Sequence, residues 1–232
     1  ENDPSPADEA GSDPESDPGL GMGNLAYVAP KLAPLSALTL SEARPADSAG
    51  DAVYDQLTGE TASLRVLPEA RDVILAQYRA QNFKPIWLAD GKLSPRGMEV
   101  LKLLSAAGDE GLEPETYLPT GLSAFDAPAP EQDAAAMARL DIDLTAAALR
   151  YAHDASGGQF DPNRLSRYND VAPPWVAPSH AMKVLAWSPF AADYLKSLHP
   201  THPAYAAMKA ALAKARTSEP VIVTVIEDGP VV

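Results

Sequence analysis

Apolar residues recur along the middle of the chain at spacings of three and four, the period of helices that turn one face inward. Residues Pro68 to Gln81 read as such a helix, with Val73, Ile74, Gln77 and Tyr78 on one face and Pro68 suited to a first helical position. Asn82 ends it. Phe83-Lys84-Pro85-Ile86-Trp87 follows as an extended aromatic segment, because Pro85 disfavours a helical Lys84. The next helix opens with Ser94 as N-cap and Pro95 at the first position. Its apolar positions are Met98, Leu101 and Leu104, and Gly108 and Gly111 supply the stop. The longest helix spans Pro130 to Ser156, with Met137, Leu140, Leu144, Ala147 and Tyr151 as a continuous stripe ended by Gly157-Gly158. Pro-rich connections lead to two short helices, Ser179 to Trp187 and Pro189 to Leu198. A last helix runs from Pro203 to Ala215, with Tyr205, Met208 and Leu212 on one face and Thr201-His202 as its N-cap region.

The two ends break this pattern. Residues 1–23 carry seven acids, four prolines and no base, a composition that cannot bury enough surface to offset its ordering entropy, so a disordered acidic tail is expected. Residues 24–62 are rich in Pro, Ala and Ser and read as an arm across the domain or a linker. Val221 to Ile226 is a β-branched run of strand character. A single strand needs a partner. Residues 219–232 are therefore expected to lead into a continuing polypeptide, or to pair with another chain. The fold class expected is mainly α: a helical domain at 63–218, with the tail before it and a single C-terminal β-strand after it.

Composition narrows the functions open to such a fold. The 232 residues are 46% hydrophobic, which fits a folded chain. Eighteen Lys and Arg against 32 Asp and Glu give a net charge of -14, which repels nucleic-acid phosphate and anionic lipid alike. Cysteine is absent, which removes disulfides, thiolate metal sites and thiol nucleophiles. No apolar run approaches the roughly 20 residues of a membrane span. The chain begins at Glu1 rather than Met, and removal of a secretory signal is the reading adopted for that start.

No complete catalytic constellation emerges. His199 and His202 have a His-x-x-His spacing, but Pro200 and Pro203 keep His199 out of a helix, so capping and turn roles are expected rather than a metal pair. His153, late in the long helix, suits the negative end of the helix dipole. His180 lies near a helix start without a Ser or Cys companion. Asp141 and Asp143 are two apart and point away from one another on a helix, while Glu113 and Glu115 flank Pro114 in a loop. Gly19-x-Gly21-x-Gly23 lacks the strand and helix that a dinucleotide loop requires. Trp87, Trp175 and Trp187 with Tyr168 could line a carbohydrate groove, although aromatics in helical domains more often fill the core.

Four blocks in order carry a resemblance. Phe83-x-Pro85-x-Trp87 leads to Leu93-Ser94-Pro95-Arg96, and Gly111-Leu112-x-Pro114-x-x-Tyr117 comes next. Leu144-Thr145-x-Ala147 then leads through Tyr151 to Gly158 and Pro162, and the run from His202 to Leu212 closes the series. This pattern, over about residues 66 to 216, resembles the N-terminal scaffold region of large L,D-transpeptidases of the YcbB type. The resemblance implies a protein of peptidoglycan metabolism in the periplasm or cell envelope. Full-length members are similar in joining such a scaffold to a peptidoglycan-binding domain and a catalytic domain. That catalytic domain uses a Cys in a Ser-His-Gly-Cys motif to attack a tetrapeptide stem and pass the acyl group to a second amine. This sequence has no Cys and no Ser-His-Gly, so no catalytic residue carries over.

The reading is therefore a non-catalytic scaffold portion of a periplasmic L,D-transpeptidase active in peptidoglycan crosslinking and cell-wall remodelling. It would position a catalytic domain supplied by the remainder of the protein. Its partners would be that C-terminal peptidoglycan-binding and catalytic part, and peptidoglycan itself, with no nucleic acid and no membrane span. No catalytic, cofactor or metal residue is assigned, and no cofactor is expected. The alternative is a stand-alone glycan-binding or protein-interaction module of the envelope, with Trp87, Trp175 and Tyr168 as candidate glycan contacts.

Overall fold

A computed structural model describes residues 31–35, 43–59, 64–119, 133–160 and 172–217. These form a mainly helical unit around one long helix. In chain order they are β1 (Ala33–Pro34), α1 (Ser48–Thr58), β2 (Arg65–Val66), α2 (Pro68–Ala80), β3 (Leu88–Ala89), β4 (Lys92–Leu93) and α3 (Pro95–Ser105). Two 3-10 turns follow, Ala107–Glu110 and Pro114–Thr116, and then α4 (Ala134–Gly157), α5 (Pro178–Trp187), α6 (Ala191–Ser197) and α7 (Pro203–Thr217). The strand run at 221–226 and the acidic tail at 1–23 lie outside the described residues.

Helix α4 packs against α1, α2, α3, α5 and α6. A helix so placed is buried nearly all round. The expected stripe of Met137, Leu140, Leu144, Ala147 and Tyr151 is buried, but so are Ala138, Ile142, Ala148, Leu149 and Ala152. Asp141, Asp143, Thr145 and Asp154 are buried with them. An ionisable group enters a core only when its hydrogen bonds are met there.

For Asp141 those bonds come from the segment after α2. Asn82 and Phe83 have φ of 54° and 58°, so that segment begins with a left-handed reversal rather than the extended start expected of it. A positive φ is costly for a bulky residue and must be held by its surroundings. Phe83 is buried and meets Tyr54 edge to face at 5.0 Å. Past the reversal, the backbone N–H groups of Ile86 and Trp87 donate to the Asp141 carboxylate at 3.0 and 2.6 Å. The Tyr78 hydroxyl donates to it at 2.7 Å. One turn along α4, the Thr145 hydroxyl accepts the Trp87 indole N–H at 2.9 Å and lies 2.8 Å from the Tyr78 hydroxyl. Burial pushes the Asp141 carboxyl above its ordinary range, against the pull of these donors and of Arg96.

The Leu-Ser-Pro-Arg block acquires a physical meaning here. Ser94 caps α3 by accepting from the Gly97 N–H at 3.2 Å, and Pro95 occupies the first turn. Arg96 lies 4.8 Å over the Trp87 ring. It donates to the carbonyls of Leu185, Ala186 and Ser188, where α5 ends, and to that of Ile86. Upstream, β3 and β4 form a hairpin whose loop residues Asp90 and Gly91 have φ of 51° and 72°, the type I′ geometry that Asp-Gly favours.

Three other expectations change. Met98 is exposed, and α3 instead buries Gly97, Val100, Leu101, Leu103 and Leu104. Within 24–62, residues Ser48–Thr58 form a helix, and Leu35, Val53 and Leu57 belong to the core. That helix is capped by Asp47, which accepts from the Gly50 N–H at 2.7 Å. At the other end, α7 buries no residue, and the expected face of Tyr205, Met208 and Leu212 is half-buried at most, with Met208 exposed.

Replacing Asp141 by Ala leaves the buried Ile86 and Trp87 N–H groups unmatched and takes the carboxylate from the Tyr78 hydroxyl, which keeps Thr145 as a partner. The variant is expected to lose about 3 kcal/mol or more of unfolding free energy in urea titration. A loss below about 1 kcal/mol would show that the carboxylate is not what fixes the reversal.

Candidate functional site

The three aromatic candidates separate. Trp87 is fully buried with its indole N–H spent on Thr145, so it presents no surface to a glycan. Tyr168 lies outside the described residues. Trp175 is 38% exposed at the C-terminal end of α4. Its ring stacks on His153 at 4.7 Å, and its indole N–H donates to the Gly158 carbonyl at 3.1 Å. Gly157 permits this, since a Cβ there would sit 2.1 Å from the Trp175 ring. His153 thus stacks on Trp175 and hydrogen-bonds Asp154 at 2.8 Å near the C-terminal end of α4.

Beside Trp175 a cleft of about 570 Å³ opens between the end of α4, the first 3-10 turn and the start of α7. Glu110, Asp154, Gln159, His199 and Tyr205 bring polar groups to it. Leu112, Pro174, Pro200 and Met208 bring apolar surface.

The polar groups form two linked sets. In the first, Glu110 accepts from the Tyr205 hydroxyl at 2.8 Å and from Lys209 at 2.5 Å. Tyr205 has then used its proton, so its oxygen accepts from His199 Nδ1 at 3.0 Å. The neutral His199 ring is thereby left with Nε2 as acceptor for the Tyr151 hydroxyl at 2.7 Å. Burial holds His199 below its ordinary pKa, which keeps it neutral near pH 7 despite Glu110. Burial also raises Tyr151 and Tyr205, so neither hydroxyl is poised to ionise. Burial pushes Glu110 up, but hydrogen bonds from Lys209 and Tyr205 outweigh it and leave the carboxyl below its usual range.

The second set is centred on Asp154. Its carboxylate accepts from Tyr117 at 2.7 Å, Arg150 at 2.9 Å and His153 at 2.8 Å. Burial raises it, and the His153 bond with the charge of Arg150 brings it below the ordinary value. The Gln159 amide donates to the Tyr117 hydroxyl at 2.8 Å. These groups hold geometry; none is an activated nucleophile.

Other expectations fall as follows. His202 caps α7, its Nδ1 accepting from the Ala204 N–H at 3.1 Å, as the capping reading expected. His199 is not a simple turn residue but the middle of the first set. Asp141 and Asp143 face different partners, Asp143 pairing with Arg139 at 2.7 Å. Glu113 and Glu115 are exposed around the second 3-10 turn. A further hollow of about 390 Å³ is lined by Arg65, Arg139 and Arg150, each already bonded to Leu32, Asp143 or Asp154. Sequence reasoning missed Glu110, Lys209 and Gln159. Spacing cannot connect Glu110 with Lys209, 99 positions away.

Among the described residues, no helix is long and apolar enough to cross a membrane. A family model described as a scaffold domain matches residues 72–212. No curated protein and no solved structure matches the chain.

The electrostatics set how α7 responds to acid. Both His199 and Glu110 have folded pKa values below their ordinary ones, so each stabilises docked α7 fully above its ordinary value and less as pH falls. For His199 the loss begins below 6.5, and for Glu110 it follows below 4.5. Tryptic cleavage within α7 is therefore expected to accelerate as pH falls from 7.5 toward about 5.5 relative to cleavage elsewhere in the chain. Glu110→Gln is expected to accelerate it about threefold at neutral pH. Equal protection of α7 at both pH values would remove the His199 contribution.

Proposed function

The chain belongs to the scaffold-domain family, and on that premise we propose that it is the non-catalytic scaffold portion of a periplasmic L,D-transpeptidase that crosslinks and remodels peptidoglycan. The observation that carries the proposal is the family match at 72–212, which falls on the same stretch as the four ordered sequence blocks. Those blocks coincide with structural junctions. Phe83 to Arg96 forms the reversal bonded to Asp141 and the cap on α5. Gly111 to Tyr117 places the hydroxyl that bonds Asp154. His202 begins α7.

In this reading the unit works by rigidity. In the transpeptidases that the sequence resembles, acyl transfer between peptide stems uses a thiolate held within reach of two substrate strands, and small displacements are costly to such a reaction. A support whose helices are fixed by buried hydrogen bonds holds a neighbouring domain better than loops can. The sequence has no cysteine, so the nucleophile belongs to residues outside it. The weakly embedded α7 is the element through which we place the connection to that catalytic part.

The test is association followed by activity. The purified chain and a separately expressed peptidoglycan-binding and catalytic part are mixed and analysed by sedimentation velocity, and stem-peptide crosslinking is then assayed. A complex with faster crosslinking than the catalytic part alone is expected. No association, together with unchanged crosslinking, would overturn the scaffold role.

A further inference from the structure

The cleft at the end of α4 has a charge balance unusual in a chain of net charge -14. Glu110 is matched by Lys209 at 2.5 Å and Asp154 by Arg150 at 2.9 Å. His199 is kept neutral by burial. The cleft thus offers hydrogen-bonding groups with no net charge, beside the apolar surfaces of Leu112, Pro174, Pro200 and Met208. An ionic ligand would meet charges already neutralised, and an acyl chain would desolvate the lone pairs that Glu110 and Asp154 keep beyond their internal hydrogen bonds. A pyranose ring suits both halves, with C–H faces for the apolar surface and hydroxyls for the polar groups.

We propose that this cleft binds an uncharged glycan of the N-acetylhexosamine class, with Trp175 as the platform at its edge. The volume of about 570 Å³ lies within the roughly 300–1,000 Å³ of small-molecule sites. Trp175 is held for such a role: it stacks on His153, bonds the Gly158 carbonyl, and lies where Gly157 leaves no Cβ in its way. Its neighbour Pro174 and its acceptor Gly158 both line the cleft. The choice of N-acetylhexosamine rests on the envelope reading above; the choice of a neutral sugar rests on the cleft alone.

The test is titration of the whole chain with chitotetraose, and separately with maltotetraose, followed by the indole N–H resonances in 15N NMR spectra. With chitotetraose, the Trp175 signal is expected to shift and saturate while those of buried Trp87 and of Trp187, which does not line the cleft, stay in place. Trp175→Ala is expected to weaken binding roughly tenfold, and Met208→Ala, at an exposed position, about threefold. The wild-type titration keeps the proposal testable if a variant folds poorly. No response to either sugar, or a response confined to Trp187, overturns the cleft proposal without touching the scaffold reading. A Trp175 response to maltotetraose alone upholds a glycan cleft and overturns the envelope reading behind the choice of ligand.

Discussion

One buried carboxylate sets the geometry of the helical unit. Asp141 sits in the first half of α4 and receives the Ile86 and Trp87 N–H groups and the Tyr78 hydroxyl. Desolvating a carboxylate is expensive, and its donors must be in place before the cost is met. The requirement is reciprocal. Without Asp141 the backbone after the Asn82-Phe83 reversal would hold two buried N–H groups with no acceptor. Satisfying both sides fixes α2 against α4 and delivers the chain into the β3–β4 hairpin in a single register.

The rest of the core follows from that register. Once Trp87 is seated, Arg96 covers its ring and reaches the carbonyls at the end of α5, tying α3 and α5 to the same point. Further along α4, Asp154 repeats the device by gathering Tyr117, Arg150 and His153. The two carboxylates divide the molecule between them. Asp141 holds the helical body, while Asp154 organises the open end where the cleft and Trp175 lie. Beyond it, α7 is held by the polar set of Glu110, Tyr205, His199 and Lys209 with no buried side chain of its own. A helix attached in this way can be displaced at far lower cost than α2 or α5.

The helices were largely legible in the sequence, because caps and period are local. Pro68, Ser94-Pro95 and Gly157-Gly158 mark ends that the structure places within a residue or two. Asp90-Gly91 between Leu88 and Leu93 is a local hairpin signal in a stretch left unassigned between the extended segment ending at Trp87 and the cap at Ser94. The helix at 48–58 carried its own Asp47 cap, hidden in a Pro- and Ala-rich surround. The site was less legible, since its bonds join Glu110 to Tyr205 and Trp175 to the end of α4 across distances that no periodicity records. Asp141 shows the same limit: helical spacing separated it correctly from Asp143, but only the packing of α2 shows that it is buried.

The central claim is that Asp141 locks the reversal after α2 into the rigid body while α7 stands outside it. Native-state hydrogen exchange of the intact chain, read residue by residue, addresses this directly. The account predicts that the Ile86 and Trp87 amides exchange among the slowest, together with the middle of α4, and that the amides of α7 exchange fastest among the helices. Ile86 and Trp87 amides exchanging as readily as those of α7 would contradict it.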